Sequence, residues 1–276
     1  MGTIIIATDF SNAASNATRY AAALGEHLQI KNLILYHSYH HMILKDNISQ
    51  EKGLLHQLKN KSLLNLEQQR SSVQNKIPSS ISIQLITDEL PLVKGVDRIA
   101  QKQQAKLVIV GTTGKSKIEK MFIGSNAASL ARDSSIPLLL VPEDAIFKAF
   151  EKAVYACDLI KVDKMTPVDT LFNIVKKWRL KLLILHVSHP NATFSPNFIT
   201  EQYHLHELMD ELHPEYHFIE NKNIVLGIMQ FADDKAADLV IASPKPHSFI
   251  ESLFHRSTTK KLAVHANLPL MILRSS

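Results

Sequence analysis

Val110 to Asn126 reads VGTTGKSKIEKMFIGSN, with its glycines spaced as Gly111-x2-Gly114-x9-Gly124 and Ser125 directly after the last. An apolar, strand-like run, Ala105 to Val110, leads into it, and a helix-like run, Asn126 to Arg132, follows. A strand that feeds a glycine-rich turn and then a helix start bearing a hydroxyl is an arrangement suited to phosphate. Glycine lets backbone approach an anion, and the unpaired N–H groups of a helix N-terminus point at it.

Outward from this stretch, strand and helix alternate. Ile4 to Ala7 is a continuous apolar run, read as a strand buried on both faces, and it ends in Thr8-Asp9-Phe10-Ser11. Asn12 to Leu28 carries Ala and Leu at helical spacing behind a Ser11 or Asn12 cap. Lys31 to Ser38 is a second strand, Ile81 to Ile86 a third, Pro91 to Gln103 a helix, Ala105 to Val110 the fourth strand and Ile136 to Val141 the fifth. Between His40 and Asn75, Leu54, Leu55, Leu58, Leu63, Leu64 and Leu66 predict an amphipathic helix. Such alternation argues for a parallel sheet covered on both sides.

The pattern then restarts. AVYACDL at Ala153 to Leu159 echoes IIIATDF at Ile4 to Phe10, and KLLILHVS at Lys181 to Ser188 echoes KNLILYHS at Lys31 to Ser38. From Gly95 onward the halves align without a gap: Gly95 meets Gly227, Ala100 meets Ala232, AKLVIVGTTG meets ADLVIASPKP, and Pro137 meets Pro269. The chain therefore reads as two like domains, residues 1–145 and 150–276, the second shorter where the first has its long polar helical region.

The glycine spacing resembles the nucleotide-binding motif of the universal stress protein family at all its fixed positions, and the likeness extends over nearly the whole chain as a tandem of two such domains. The resemblance implies an α/β fold of two doubly wound domains, each a five-stranded parallel sheet with helices on both faces. Ligand would lie outside the carboxyl ends of the strands. It further implies ATP, with or without Mg²⁺, held in domain one. Asp9 would reach the ribose or adenine end, and Ala7, Thr8, Asp9 and Phe10 would line the base pocket. His37 would offer its backbone to adenine, while Val110, Gly111, Gly114, Gly124, Ser125 and Asn126 would enclose ribose and phosphates. Strand two departs from the family's His-Val, with Tyr36-His37 in this half and His186-Val187 in the other.

In domain two, Gly111, Gly114 and Gly124 are replaced by Ser243, Pro246 and Arg256. Proline removes an N–H and a side chain blocks close backbone approach, so the expectation is one nucleotide site per chain and a degenerate second domain. The resemblance also implies that the last strands, Ile136 to Val141 and Leu268 to Leu273, join the domains as a pseudo-dimer, and it allows a homodimer of chains.

Other readings fare less well. Gly114-Lys115-Ser116 suggests a P-loop, but the first glycine which that pattern needs upstream is missing. His204, His206, His213 and His217 share one polar region without a cysteine or a standard metal spacing, so they read as solvated histidines and not as a metal site. An ATP-hydrolysing enzyme would need a positioned base, and none can be named; slow hydrolysis is allowed, and no catalytic residue is assigned. A nucleotide-independent scaffold is the alternative to an ATP-binding regulatory protein of the stress response.

With 45% hydrophobic and 21% charged residues and no apolar run of membrane-spanning length, the composition is that of a soluble globular protein. The start MGTIIIATDF lacks the basic region of a signal peptide, and the lone Cys157 suits a reducing compartment, so the expected location is cytoplasmic. The net charge of +5 is spread among acidic residues with no basic block, which argues against nucleic acid as a partner.

Overall fold

The computed structural model describes residues 2–45, 52–75, 77, 79–114, 121–122, 124–191, 197–243 and 268–274. The chain divides into two compact units, the first formed by Met1–Thr113 and Gly124–Phe147, the second by Gly114–Ile123 and Lys148–Ser276.

In the first unit the elements are β1 (Thr3–Ala7), α1 (Asn12–His27), β2 (Asn32–Ser38), α2 (His40–Lys45), α3 (Lys52–Gln74), β3 (Ser82–Asp88), α4 (Leu92–Gln103) and β4 (Ala105–Gly114). The first unit continues with α5 (Ser125–Asp133) and β6 (Leu138–Pro142), and a two-residue strand, β5 (Met121–Phe122), lies in the Gly114–Ile123 segment before α5. The main strands pair in parallel in the order β3-β2-β1-β4-β6. The chain thus winds outward from β1 first one way and then the other, and the carboxyl ends of β1 and β4 lie side by side at the point where the direction reverses. Helices α1 and α3 touch one another and cover one face, and α4 and α5 likewise cover the other.

The core explains the apolar runs. Ile4, Ile5, Ile6, Leu33, Ile34, Leu35, Val108, Ile109, Leu138, Leu139 and Leu140 are all buried, as strands sandwiched between helix layers require. Ser11 is the cap of α1, its Oγ accepting from Ala14 N–H. The leucine pattern of the long helix proves misleading. Of its leucines only Leu66 is fully buried, and Leu54 and Leu64 are exposed; the inward stripe is Ser62, Leu66, Gln69 and Val73.

The second unit repeats the plan with β7 (Lys152–Ala156), α6 (Val162–Met165), α7 (Val168–Trp178), β8 (Lys181–Ser188), α8 (Phe198–Met209), β9 (Glu215–Glu220), α9 (Ile224–Asp234), β10 (Leu239–Ala242) and β11 (Leu270–Ile272). Its parallel order, β9-β8-β7-β10-β11, matches the first unit strand for strand. Cys157 is buried, and Trp178, closing α7, stacks on Phe150 with ring centroids 5.4 Å apart.

The match corrects one sequence equivalence. Ala7 pairs with Tyr36 across β1 and β2, and Ala156, its counterpart, pairs with Leu185 across β7 and β8. His37 therefore corresponds to His186, and Ser38 to Val187; the halves of strand two are offset by one residue from the alignment of KNLILYHS on KLLILHVS. The supposed Tyr36-His37 departure is a shift of register, because a strand buried on both faces carries no alternation to fix its phase.

Candidate functional site

The loop after β1 is a chain of local hydrogen bonds. Thr8 N–H donates to Tyr36 O (2.9 Å), Phe10 N–H to Thr8 Oγ1 (3.0 Å) and Ser11 N–H to Asp9 Oδ1 (3.0 Å). Phe10 takes a left-handed backbone, φ 66°, to make this turn. The second unit turns the same way, with Ile160 N–H donating to Asp158 Oδ1 (3.1 Å) and Leu159 at φ 54°. A conformation present in both units is a demand of the fold, so each aspartate has a turn-forming role whatever else it does. Asp9 is exposed, free to act on a ligand as well.

His37 stands beside this turn. Its Nδ1 lies 2.8 Å from Thr8 O, and its own carbonyl accepts from Thr87 Oγ1 at 2.8 Å. His186 makes the equivalent bond to Cys157 O at 3.0 Å. Burial pushes the pKa of both imidazoles down, against the opposing pull of the carbonyl bond and the nearby aspartate. The Phe10 ring lies against His37 with centroids 4.4 Å apart.

Sequence reasoning missed Gln69, which ties three segments together. Its Oε1 accepts from Thr8 Oγ1 (2.8 Å), while its Nε2 donates to Ala14 O (3.2 Å) and Thr18 Oγ1 (2.7 Å). A glutamine in a polar helix looks solvated in sequence; only its place in the buried stripe with Leu66 and Val73 could have marked it.

The glycines divide into two kinds. A β-carbon on Gly111 would stand 2.3 Å from the carbonyl carbon and oxygen of Ala13 and 2.7 Å from Ala14 N, so this glycine admits the start of α1 against β4. Gly124 is different. It is the N-cap of α5 with ordinary extended backbone, φ −62° and ψ 159°, and a β-carbon there would meet nothing within 4 Å among the described residues. Among the described residues no side chain caps α5, and Ser125 and Asn126 lie exposed on its first turn. Gly114 is the last residue of β4. Ala7 is in register with Val110, which places the ends of β1 and β4 side by side. Thr112 Oγ1, between them and Gly114 in the motif, is buried with no hydrogen-bond partner among the described residues.

Of the substitutions expected to disable domain two, Ser243 is buried, with its Oγ 3.4 Å from Tyr155 Oη. Pro246 and Arg256 lie outside the described residues. Among the described residues no group of three or more His, Cys, Asp or Glu side chains could hold a metal ion. His204 instead pairs with Asp163 (3.0 Å), His206 stacks on Tyr216 (centroids 3.6 Å apart) and His217 faces Glu215 (3.4 Å). No helix among the described residues is long and apolar enough to cross a membrane.

A parallel sheet of this order, with a turn and a helix N-terminus at the carboxyl ends of its central strands, defines an α/β protein of the doubly wound kind. Residues 1–142 match the model of the universal stress protein family, and the chain belongs to that family. It is similar over 99% of its length to a universal stress protein from Archaeoglobus fulgidus DSM 4304, 98% of which is covered, at 16% identity and a TM-score of 0.69. A putative universal stress protein from Pseudomonas aeruginosa UCBPP-PA14 aligns over 99% of this chain and 93% of its own, at 12% identity and a TM-score of 0.54. These likenesses establish the fold. Comparison with curated proteins finds no match.

Proposed function

We propose that this universal stress protein is a regulatory protein of the stress response that binds ATP, with or without Mg²⁺, in domain one (residues 1–145), with domain two (150–276) a degenerate partner. The observation that carries the reading is Gly124. Among the described residues neither backbone strain nor a neighbouring atom requires glycine there, yet it is the N-cap of α5, the helix that follows β4, and no described side chain caps it. Room without an internal occupant, in front of free N–H groups, suits a phosphate. Ala7, Thr8, Asp9 and Phe10 would line the base and ribose, with His37 or its neighbour Ser38 offering backbone to the base. Val110, Gly111, Gly114, Ser125 and Asn126 would complete the enclosure. The protein would work in the cytoplasm, nucleotide occupancy biasing a surface read by others.

A second reading, a nucleotide-independent scaffold, is favoured by Gly111. That glycine is demanded by Ala13 and would persist in a protein that had lost its ligand. Denaturing the freshly purified protein and identifying released small molecules by mass spectrometry separates the two. One adenine nucleotide per chain, absent from a Gly124→Arg variant, supports binding; an empty protein that also fails to take up added Mg-ATP leaves the scaffold.

A further inference from the structure

His37 holds a chemical group that the fold does not use. Its Nδ1 is 2.8 Å from Thr8 O, and a carbonyl oxygen can only accept, so Nδ1 carries the proton. In the neutral ring Nε2 is then a bare lone pair. That atom is buried and has no hydrogen-bond partner among the described residues. Buried acceptors are rarely left without a donor, and one that persists calls for a water or a ligand to complete it.

The second unit supplies the contrast. His186 makes the same Nδ1 bond, but it is only half-buried, whereas His37 is 6% exposed. The ring lying on His37 is Phe10, and the matching position in the second unit is Leu159. A sequestered acceptor under an aromatic ring therefore occurs in the unit that keeps the full glycine motif. Phe10 itself is half-exposed, and its backbone is pinned by the bond from its N–H to Thr8 Oγ1. Rotation of its side chain is the movement left to it.

Resting on the nucleotide-binding reading of the first unit, we propose that His37 Nε2 reads the base of the ligand, accepting a hydrogen bond from an exocyclic amino group. Phe10 turns aside to uncover the lone pair. Adenine offers such an N–H at position 6. Hypoxanthine and guanine present an oxygen there, whose lone pairs would face that of Nε2. A site built to bond a donor rejects an analogue that lacks it, because its own buried group is then left unpaired.

The test is isothermal titration of the full chain with ATP, ITP and purine riboside 5′-triphosphate, the last lacking the amino group without added bulk. ATP is expected to bind at least about tenfold more tightly than either, a modest demand on one buried hydrogen bond. In His37→Leu the three affinities should converge. A readout that does not depend on the variant folding is the ¹⁵N resonance of His37 Nε2 in the wild type, which should move toward that of a hydrogen-bonded acceptor when ATP is added. Equal affinities in the wild type, a preference retained in His37→Leu, or an unmoved resonance at saturating ATP would each overturn the role of His37 while leaving nucleotide binding intact. Failure of all three nucleotides to bind would remove the binding reading and this role together.

Discussion

Gly111 and Ala13 approach so closely that a β-carbon on the glycine would lie 2.3 Å from the alanine's carbonyl carbon and oxygen. Backbone cannot yield as a side-chain tip does. Gly111→Ala should therefore push α1 off β4 and destabilise the first unit by about 3 kcal/mol, the upper end for overpacking. Gly124→Ala meets open space and loses only cap preference, about 1 kcal/mol or less. Urea melts of the two variants beside wild type check the difference.

Gly95 makes a comparable demand on the other face of the sheet. A β-carbon there would stand 1.7 Å from Tyr36 Oη, which donates to Asp88 Oδ1 at 2.8 Å. Gly95→Ala alone should cost about 2 to 3 kcal/mol. Combined with Tyr36→Leu, the residue that the second unit carries at this place as Leu185, it should lose less than the two single costs summed. A double-mutant cycle by chemical denaturation measures the coupling.

Removing Gln69 breaks the link between α3, α1 and the β1 turn. Gln69→Leu keeps the volume but leaves Thr8 Oγ1 without its acceptor, with an expected loss of about 1 to 3 kcal/mol. Hydrogen exchange should report faster opening at Ala14 to Thr18 and around Thr8 than in the rest of the unit.

Acid should weaken the fold through the paired histidines. Burial lowers the pKa of His37 and of His186 below the ordinary 6.5, so the folded chain prefers both rings neutral. Their contribution is intact above 6.5, where folded and unfolded chains are both neutral. It declines as pH falls below 6.5, because the unfolded chain takes up protons that the folded one refuses, until the folded pKa is passed. Denaturant midpoints between pH 7.5 and pH 5 should drop, and the slope should be shallower in a His37→Leu, His186→Leu variant.

The parallel sheet and the restart of its pattern in the second half were legible because buried strands are written as unbroken runs such as Ile4 to Ile6 and Leu138 to Leu140; the order of the strands was not. The same property concealed the register of strand two, since Leu-Ile-Leu slides by one residue without penalty in the sequence. Leu54 and Leu64 drew attention away from Ser62, Gln69 and Val73, because helical spacing alone does not say which stripe meets the sheet. Thr8, Asp9, Phe10 and His37 were singled out by their place at strand ends, and the structure gathers them in and beside one turn. The division between Gly111, held by Ala13, and Gly124, facing open space, has no signature in one-letter code. It depends on what packs opposite each glycine.

The account turns on a single nucleotide site in domain one, and titration of Mg-ATP into wild type and Gly124→Arg tests it most directly. One site per chain is predicted in the wild type, with a thermal stabilisation that reaches about 2.7 kcal/mol at ligand 100 times its dissociation constant. The variant should fold with an unliganded melting temperature close to that of wild type and show no binding. Absence of binding to the wild type at millimolar ATP, or undiminished binding in Gly124→Arg, would contradict the account.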